Sequence, residues 1–205
     1  DEHVPAILQG WYPGAQGGRA VARVLFGDKN PEGRLPVTFY RTTEELPDFK
    51  DYSMQGRTYR YMRTEALYPF GYGLSYTRFA YKNASLSSDV LGADGITVKV
   101  TVSNQGDRDG METLQVYVKA DRAGTPNPQL KGIRKVFLGA GESKEVAVTL
   151  PISAFALHDE QGVNRVAAGT YLVFVGGAQP DRRSEMLTGQ RVLHCCVDVE
   201  NALVL

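Results

Sequence analysis

"ITVKVTVSNQGDRDG", residues 96–110, alternates apolar and polar side chains without a break over eight positions. Ile96, Val98, Val100 and Val102 fall on one side, and Thr97, Lys99, Thr101 and Ser103 on the other. Successive side chains of a strand point to opposite faces, so this stretch reads as an antiparallel strand with one face buried. The Asn/Gly/Asp run after it reads as a turn. Downstream the pattern repeats. "ETLQVYVKA" (112–120) places Leu114, Val116 and Val118 on one face. "GIRKVFLGAGESKEVAVTLP" (132–151) reads as two strands about "GAGES", a hairpin signal, with Val146, Val148 and Leu150 inward. "GTYLVFVGG" (169–177) and "RVLHCCVDV" (191–199) are two more, and "YKNASLSS" (81–88) opens the series. About seven strands in roughly 120 residues is the count of an immunoglobulin-like or fibronectin type III-like sandwich. The Cys…Trp…Cys signature of immunoglobulin domains is missing, since the only Trp is Trp11, so fibronectin type III-like is the better name.

Upstream of residue 79 the pattern is different. "VPAIL" (4–8) is a short apolar run of the kind found in an interior strand. "GGRAVARVLFG" (17–27) has Ala20, Val21, Val24 and Leu25 at helical spacing, with Gly27 at the position of a C-terminal cap. "DKNPEGRLPVTF" (28–39) predicts a turn at Asn30–Gly33 and a strand at Leu35–Phe39. Strand, helix and strand within about forty residues make half of an α/β layer, too little for a core of its own. The expected organisation is therefore an α/β remnant at 1–40, a linker and junction at 41–75, and the sandwich at 76–205. The fold class is mainly β, with a partial α/β segment in front. A lone interior strand at 4–8 also implies that the polypeptide begins further upstream.

Composition narrows the function. Lys plus Arg and Asp plus Glu are equal at 23 each, so no electrostatic footprint for nucleic acid or an anionic membrane is expected. No transmembrane run or signal peptide is visible in the sequence. The two cysteines, Cys195 and Cys196, are adjacent and are expected as free thiols on opposite faces of a strand. Histidines His3, His158 and His194 are scattered, no metal-ligand spacing occurs, and no cofactor is expected. "GAQGG" (14–18) precedes a helix, but no Lys-Ser/Thr follows, so it is not a P-loop.

Carboxylates are available at Glu44, Glu45, Asp48 and Asp51 and at Asp107, Asp109 and Glu112. All lie in polar, turn-rich contexts and are expected to be solvated. A general acid needs its pKa raised by burial or a neighbouring charge, so no independent active site is expected. Ser75 in "GLSY" does not match a nucleophile elbow. Aromatic and basic residues could line a sugar site: Trp11, Tyr59, Arg60 and Tyr61 are the substrate-rim candidates, with Tyr72 and Tyr76 as further rings able to stack. The competing reading of "TYRYM" (58–62) is that it pins the linker to the domain surface.

Several of these motifs, in this order, resemble glycoside hydrolase family 3, the β-glucosidase-type enzymes. "VPAILQGWYPGAQGGRAVARVLFGDKNPEGRLPVTF" (4–39) is similar to the end of that family's α/β sandwich domain, and "LYPFGYGLSYTRF" (67–79) to the bridge that follows it. "VTVSNQGDRDGMETLQVYV" (100–118), "PQLKGIRKVFLGAGES" (128–143) and "AGTYLVFVGG" (168–177) resemble its closing fibronectin type III-like domain. The resemblance implies retaining hydrolysis, with a carboxylate nucleophile and a second carboxyl group as acid/base. It also implies that both come from parts preceding this match, an N-terminal (β/α)8 barrel and an earlier part of the α/β sandwich. The implied partners are that barrel and the rest of the α/β sandwich, in cis or as a separate chain, with a β-glycoside substrate bound through them. Export to the periplasm or the medium would follow from the resemblance alone. The alternative from the residues is a stand-alone β-sandwich module binding carbohydrate or protein.

Overall fold

The structure is a computed structural model that describes residues 3–158 and 161–205. Its upstream half carries helix α1 (Gly17–Leu25) and a single helical turn, α2 (Thr58–Tyr61). The remainder is built from β1 (Phe79–Leu86), β2 (Ile96–Asn104), β3 (Gly110–Ala120), β4 (Gln129–Leu138), β5 (Ser143–Leu150), β6 (Leu157–His158), β7 (Asn164–Val166), β8 (Gly169–Gly176), helix α3 (Arg182–Thr188), β9 (Leu193–Val199) and β10 (Leu203–Val204).

Two antiparallel sheets face each other, one in the order β1-β2-β5 and one in the order β4-β3-β8-β9, with a small third sheet β10-β7-β6 beside them. β2 is the centre of the first sheet, pairing with β1 on one side and with β5 from Ile96↔Leu150 to Ser103↔Ser143 on the other. Its Ile96, Val98, Val100 and Val102 are buried, as the alternation requires, and meet Leu114, Val116, Val136, Leu138, Val173, Val175 and Val197 from the facing sheet. Mainly β with a fibronectin type III-like sandwich is thus the observed class.

The hairpin expected about "GAGES" is not one. β4 and β5 belong to opposite sheets, so residues 139–142 carry the chain across the sandwich. The turn itself is tight, with Glu142 N–H donating to Gly139 C=O at 3.0 Å. Turn residues report a reversal of direction and not which strands pair. Asn104, the last residue of β2, binds this crossing to the preceding one. It is buried, donates from Nδ2 to the carbonyls of Arg108 (2.7 Å) and Leu138 (3.2 Å), and its backbone N–H donates to Glu142 C=O at 2.8 Å.

β3 departs from simple alternation. Leu114, Val116 and Val118 face the core, but Thr113, Gln115 and Tyr117 on the opposite face are buried as well. They are covered by the upstream segment. That segment runs antiparallel to itself: Leu35 N–H donates to Tyr72 C=O, Gly71 N–H to Leu35 C=O, and Phe39 and Tyr68 form a bridge. The expected strand at Leu35–Phe39 is present only as this short ladder. Residues 4–8 form no strand and are exposed, because an interior strand requires flanking strands to take its N–H and C=O groups and none lies here. α1 forms where predicted and ends at Gly27, which adopts φ 79° and donates to Val24 C=O at 3.0 Å. α3 carries no strong apolar period. It forms behind Asp181, whose side chain accepts from Ser184 N–H at 2.7 Å.

Candidate functional site

The distinctive site of the chain is the seam where residues 30–77 lie on the sandwich. At its centre Arg34 Nη2 donates to Glu112 Oε2 at 2.6 Å, with side chains 9% and 4% exposed. The other carboxylate oxygen, Glu112 Oε1, accepts a short hydrogen bond from the Tyr81 hydroxyl. Burial, together with the adjacent Glu112 charge, pushes the Tyr81 hydroxyl well above its ordinary value, in keeping with its role as donor. Glu112 was expected to be solvated. It is instead the buried anchor that a guanidinium from the upstream segment and a phenol from β1 converge on. The sequence did carry a signal, since Glu112 has the same parity as Leu114, Val116 and Val118, the core-facing set.

A second contact lies on the outer face of β3. Gln115 Nε2 donates to Gly71 C=O and to Gly177 C=O, each at 2.9 Å, and Gln115 Oε1 accepts from the Tyr117 hydroxyl at 2.6 Å. Gly71 has φ 78°, and a Cβ there would run into the Gln115 amide and the Tyr117 hydroxyl. Desolvation also drives the Tyr117 hydroxyl strongly upward. Around this point the aromatic rings of the junction close the seam. Tyr59 stacks on Phe70 at 4.2 Å and meets Tyr117 edge-on at 6.3 Å. Tyr68 stacks on Tyr72 at 5.8 Å, and Phe39 meets Tyr68 edge-on at 6.3 Å. Further out, the Tyr76 hydroxyl donates to Val24 C=O at 2.8 Å, and Ser75 exchanges hydrogen bonds with Asn30. Ser75 is thus a turn residue held by Asn30.

Of the rim candidates, Tyr59 and Arg60 line one open groove of about 490 Å³, with Pro36, Val37, Leu46 and Met54 among its other walls. Trp11 and Tyr61 do not line it. Tyr59 is held at two points: its hydroxyl accepts from Leu130 N–H at 3.1 Å and its carbonyl accepts from Asn127 Nδ2 at 3.0 Å. The Arg60 guanidinium lies 5.9 Å from the centre of the Tyr59 ring. Trp11 is 50% exposed, at φ 50°, and leans on Phe39 at 6.3 Å. Tyr61 is exposed.

Several of the other carboxylate candidates accept backbone hydrogen bonds in loops. Asp51 Oδ1 accepts from Ser53 N–H at 2.8 Å, and that hydrogen bond lowers its pKa. Asp109 Oδ1 accepts from Ala140 N–H at 3.0 Å. No cluster of three or more metal-ligating side chains occurs among the described residues. No helix of the described residues is long and apolar enough to cross a membrane.

Beyond the seam, the upstream segment leaves many large apolar side chains open to solvent. Val4, Ile7, Leu8, Trp11, Leu25, Phe26, Phe49 and Tyr52 are all exposed, Phe49 and Tyr52 by nine-tenths or more.

The sandwich thus carries a short upstream segment with many apolar side chains exposed. Residues 1–76 match the glycosyl hydrolase family 3 C-terminal domain, and residues 112–179 match the fibronectin type III-like domain. The chain belongs to glycoside hydrolase family 3 and corresponds to the C-terminal part of its members. It is similar to a xylan 1,4-β-xylosidase of Xylanibacter ruminicola, 42% identical over 91% of this chain and 22% of the relative. It is also similar to a periplasmic β-glucosidase of Salmonella typhimurium, 38% identical over 86% of this chain and 25% of the relative. Among solved structures, β-glucosidase 3B of Thermotoga neapolitana, solved with α-D-glucose, superposes with a TM-score of 0.81 at 33% identity, over 95% of this chain and 28% of that one. The chain thus spans about a quarter of the length of these relatives.

Proposed function

We propose that this chain is the bracing C-terminal part of a retaining β-glycosidase and supplies no catalytic carboxylate. The observation that carries this reading is the pairing of a closed sandwich with an uncovered apolar face, the two joined by the buried Arg34–Glu112 seam. Retaining hydrolysis needs two carboxyl groups about 5–5.5 Å apart across the glycosidic bond. Glu112, the buried carboxylate of the seam, is occupied by Arg34 and Tyr81 and is not free to attack a sugar. The nucleophile and acid/base would come from a barrel and an earlier part of the α/β sandwich, joined in cis or bound as a separate chain. Both β-glucosidase and β-xylosidase relatives are similar to this region, and the β-glucosidase reaction is the first to test.

The test is turnover. The isolated chain and the longer protein that includes a preceding barrel are assayed on p-nitrophenyl β-glucoside and β-xyloside. The reading expects release of nitrophenol only from the longer protein. Hydrolysis by the isolated chain would show that the carboxylates lie here after all. Inactivity of both on every β-glycoside, with saturable oligosaccharide binding by the isolated chain, would favour the stand-alone module.

A further inference from the structure

The end strands of the two facing sheets are β1 and β5 in one and β4 and β9 in the other. The outer row of N–H and C=O groups on an end strand is a template for a strand of another molecule. Two of the four ends are blunted by backbone. Residues 89–91 lie along β9, with Leu91 N–H donating to Asp198 C=O at 2.8 Å and Asp198 N–H to Asp89 C=O at 2.9 Å. β1 is broken by a bulge between Lys82 and Ser85, where Asn83 takes φ 56°. β4 and β5 meet at the remaining corner, so closely that a Cβ on Gly132 would come within 2.9 Å of the Val148 side chain. Here the covers are side chains, and the two strands exchange them. Arg134 of β4 donates from Nη1 to Ala147 C=O of β5 at 3.1 Å. Lys144 of β5 donates from Nζ to Phe137 C=O of β4 at 2.9 Å. Lys144 is steadied there by Glu142 at 3.0 Å and lies 6.0 Å from the centre of the Phe137 ring. Neither strand has a charge of its own where it is covered: "VFLGAG" (136–141) and "VAVTL" (146–150) contain none. Uncharged runs of high β-propensity are those that pair with copies of themselves.

We propose that the β4–β5 corner is a strand-addition site held shut by Arg134 and Lys144, and that its occupant, once opened, is the same edge of a second copy of this chain. An uncharged edge is its own complement: two β5 strands meet antiparallel about a twofold axis, each taking the other's outer N–H and C=O groups. The guard is crossed. Arg134 belongs to β4 but shuts β5, and Lys144 belongs to β5 but shuts β4. The exposed Ile133 and Phe137 add apolar surface beside the β4 edge and make its cover matter more. The inference is independent of the bracing reading.

Hydrogen exchange and sedimentation of the chain over a concentration series test it. In the wild type, exchange at residues 129–138 and 143–150 should not depend on concentration. R134A should gain concentration-dependent protection at residues 143–150, and K144A at residues 129–138, each with the mass moving from monomer towards twice that value. R134K keeps a charged donor of similar reach and should behave as wild type. R191A removes the same charge from an exposed site away from the corner and should do so too. Arg134 and Lys144 are both exposed, so the fold survives their truncation, and slow exchange in β2, β3 and β8 marks it as intact in each sample. Protection confined to the substituted strand in both variants would mean that the guard is not crossed and would overturn the proposal. So would association of R134A and K144A through residues 4–26 alone, the absence of any association, or the same strand protection in wild type, R134K or R191A.

Discussion

At the scale of single residues, the seam depends on a few groups that cannot be exchanged. Glu112 is buried between Arg34 and Tyr81, so E112Q leaves a guanidinium out of water without its counter-charge. Removal of one partner of a buried ion pair costs about 3–5 kcal/mol. Urea unfolding of E112Q should show that loss, and the double variant R34M/E112L should recover much of it. Equal stability of E112Q and wild type would mean that the pair is not desolvated. Gly71 makes a second test. G71A places a Cβ at φ 78° against Gln115 and Tyr117, and the backbone strain alone is worth about 1–3 kcal/mol. G56A has a similar φ of 71° but open space around it, and should cost the strain alone, about 1–3 kcal/mol. Thermal melts of the two variants separate the clash from the strain. Glu112 also shows what the sequence conceals. Its parity placed it with the core residues, but only the fold brings Arg34 to it from 78 positions away.

At the scale of elements, the strands were legible because each carries its own period. β2 and β9 read correctly from alternation alone, and the two thiols of β9 are free, with Cys195 partly buried and Cys196 exposed. Desolvation and the neighbouring Cys196 raise the Cys195 thiol. Iodoacetamide at mildly alkaline pH should therefore label Cys196 first, and preferential labelling of Cys195 would contradict the register of β9. The β4–β5 connection was misread as a hairpin because the turn signal is local and the choice of partner strand is not. Its Glu142 accepts from Gly139 N–H at 2.7 Å, and this bond and Lys144 lower its pKa. A carboxylate depressed in the folded state stabilises above its unfolded pKa, and that contribution disappears as pH falls through the folded value. E142Q should therefore be less stable than wild type at neutral pH, with the gap closing below about pH 4. A gap independent of pH would assign the effect to the turn backbone. Residues 4–8 were misread for the opposite reason, since an apolar run becomes a strand only when neighbours exist to pair with it.

At the scale of the whole molecule, the chain combines a closed core with an open face. The core is shared by both sheets. The upstream segment has α1, whose only buried residue is Gly17, and a run of exposed apolar side chains. Periodicity and the order of motifs made the sandwich class legible. Composition could not show how the two parts are fastened, because the fastening uses Gln115, Tyr117 and Gly71, residues that each look ordinary in their own stretch. The central claim is that residues 4–26 are left free to dock, whereas the sandwich and the seam laid on it hold together without them. Hydrogen–deuterium exchange of the isolated monomeric chain addresses it most directly. The account expects slow exchange in β2, β3 and β8, slow exchange where Leu35 and Gly71 pair across the seam, and fast exchange over residues 4–26, α1 included. Strong protection over residues 4–26 in a species of monomer mass would contradict it.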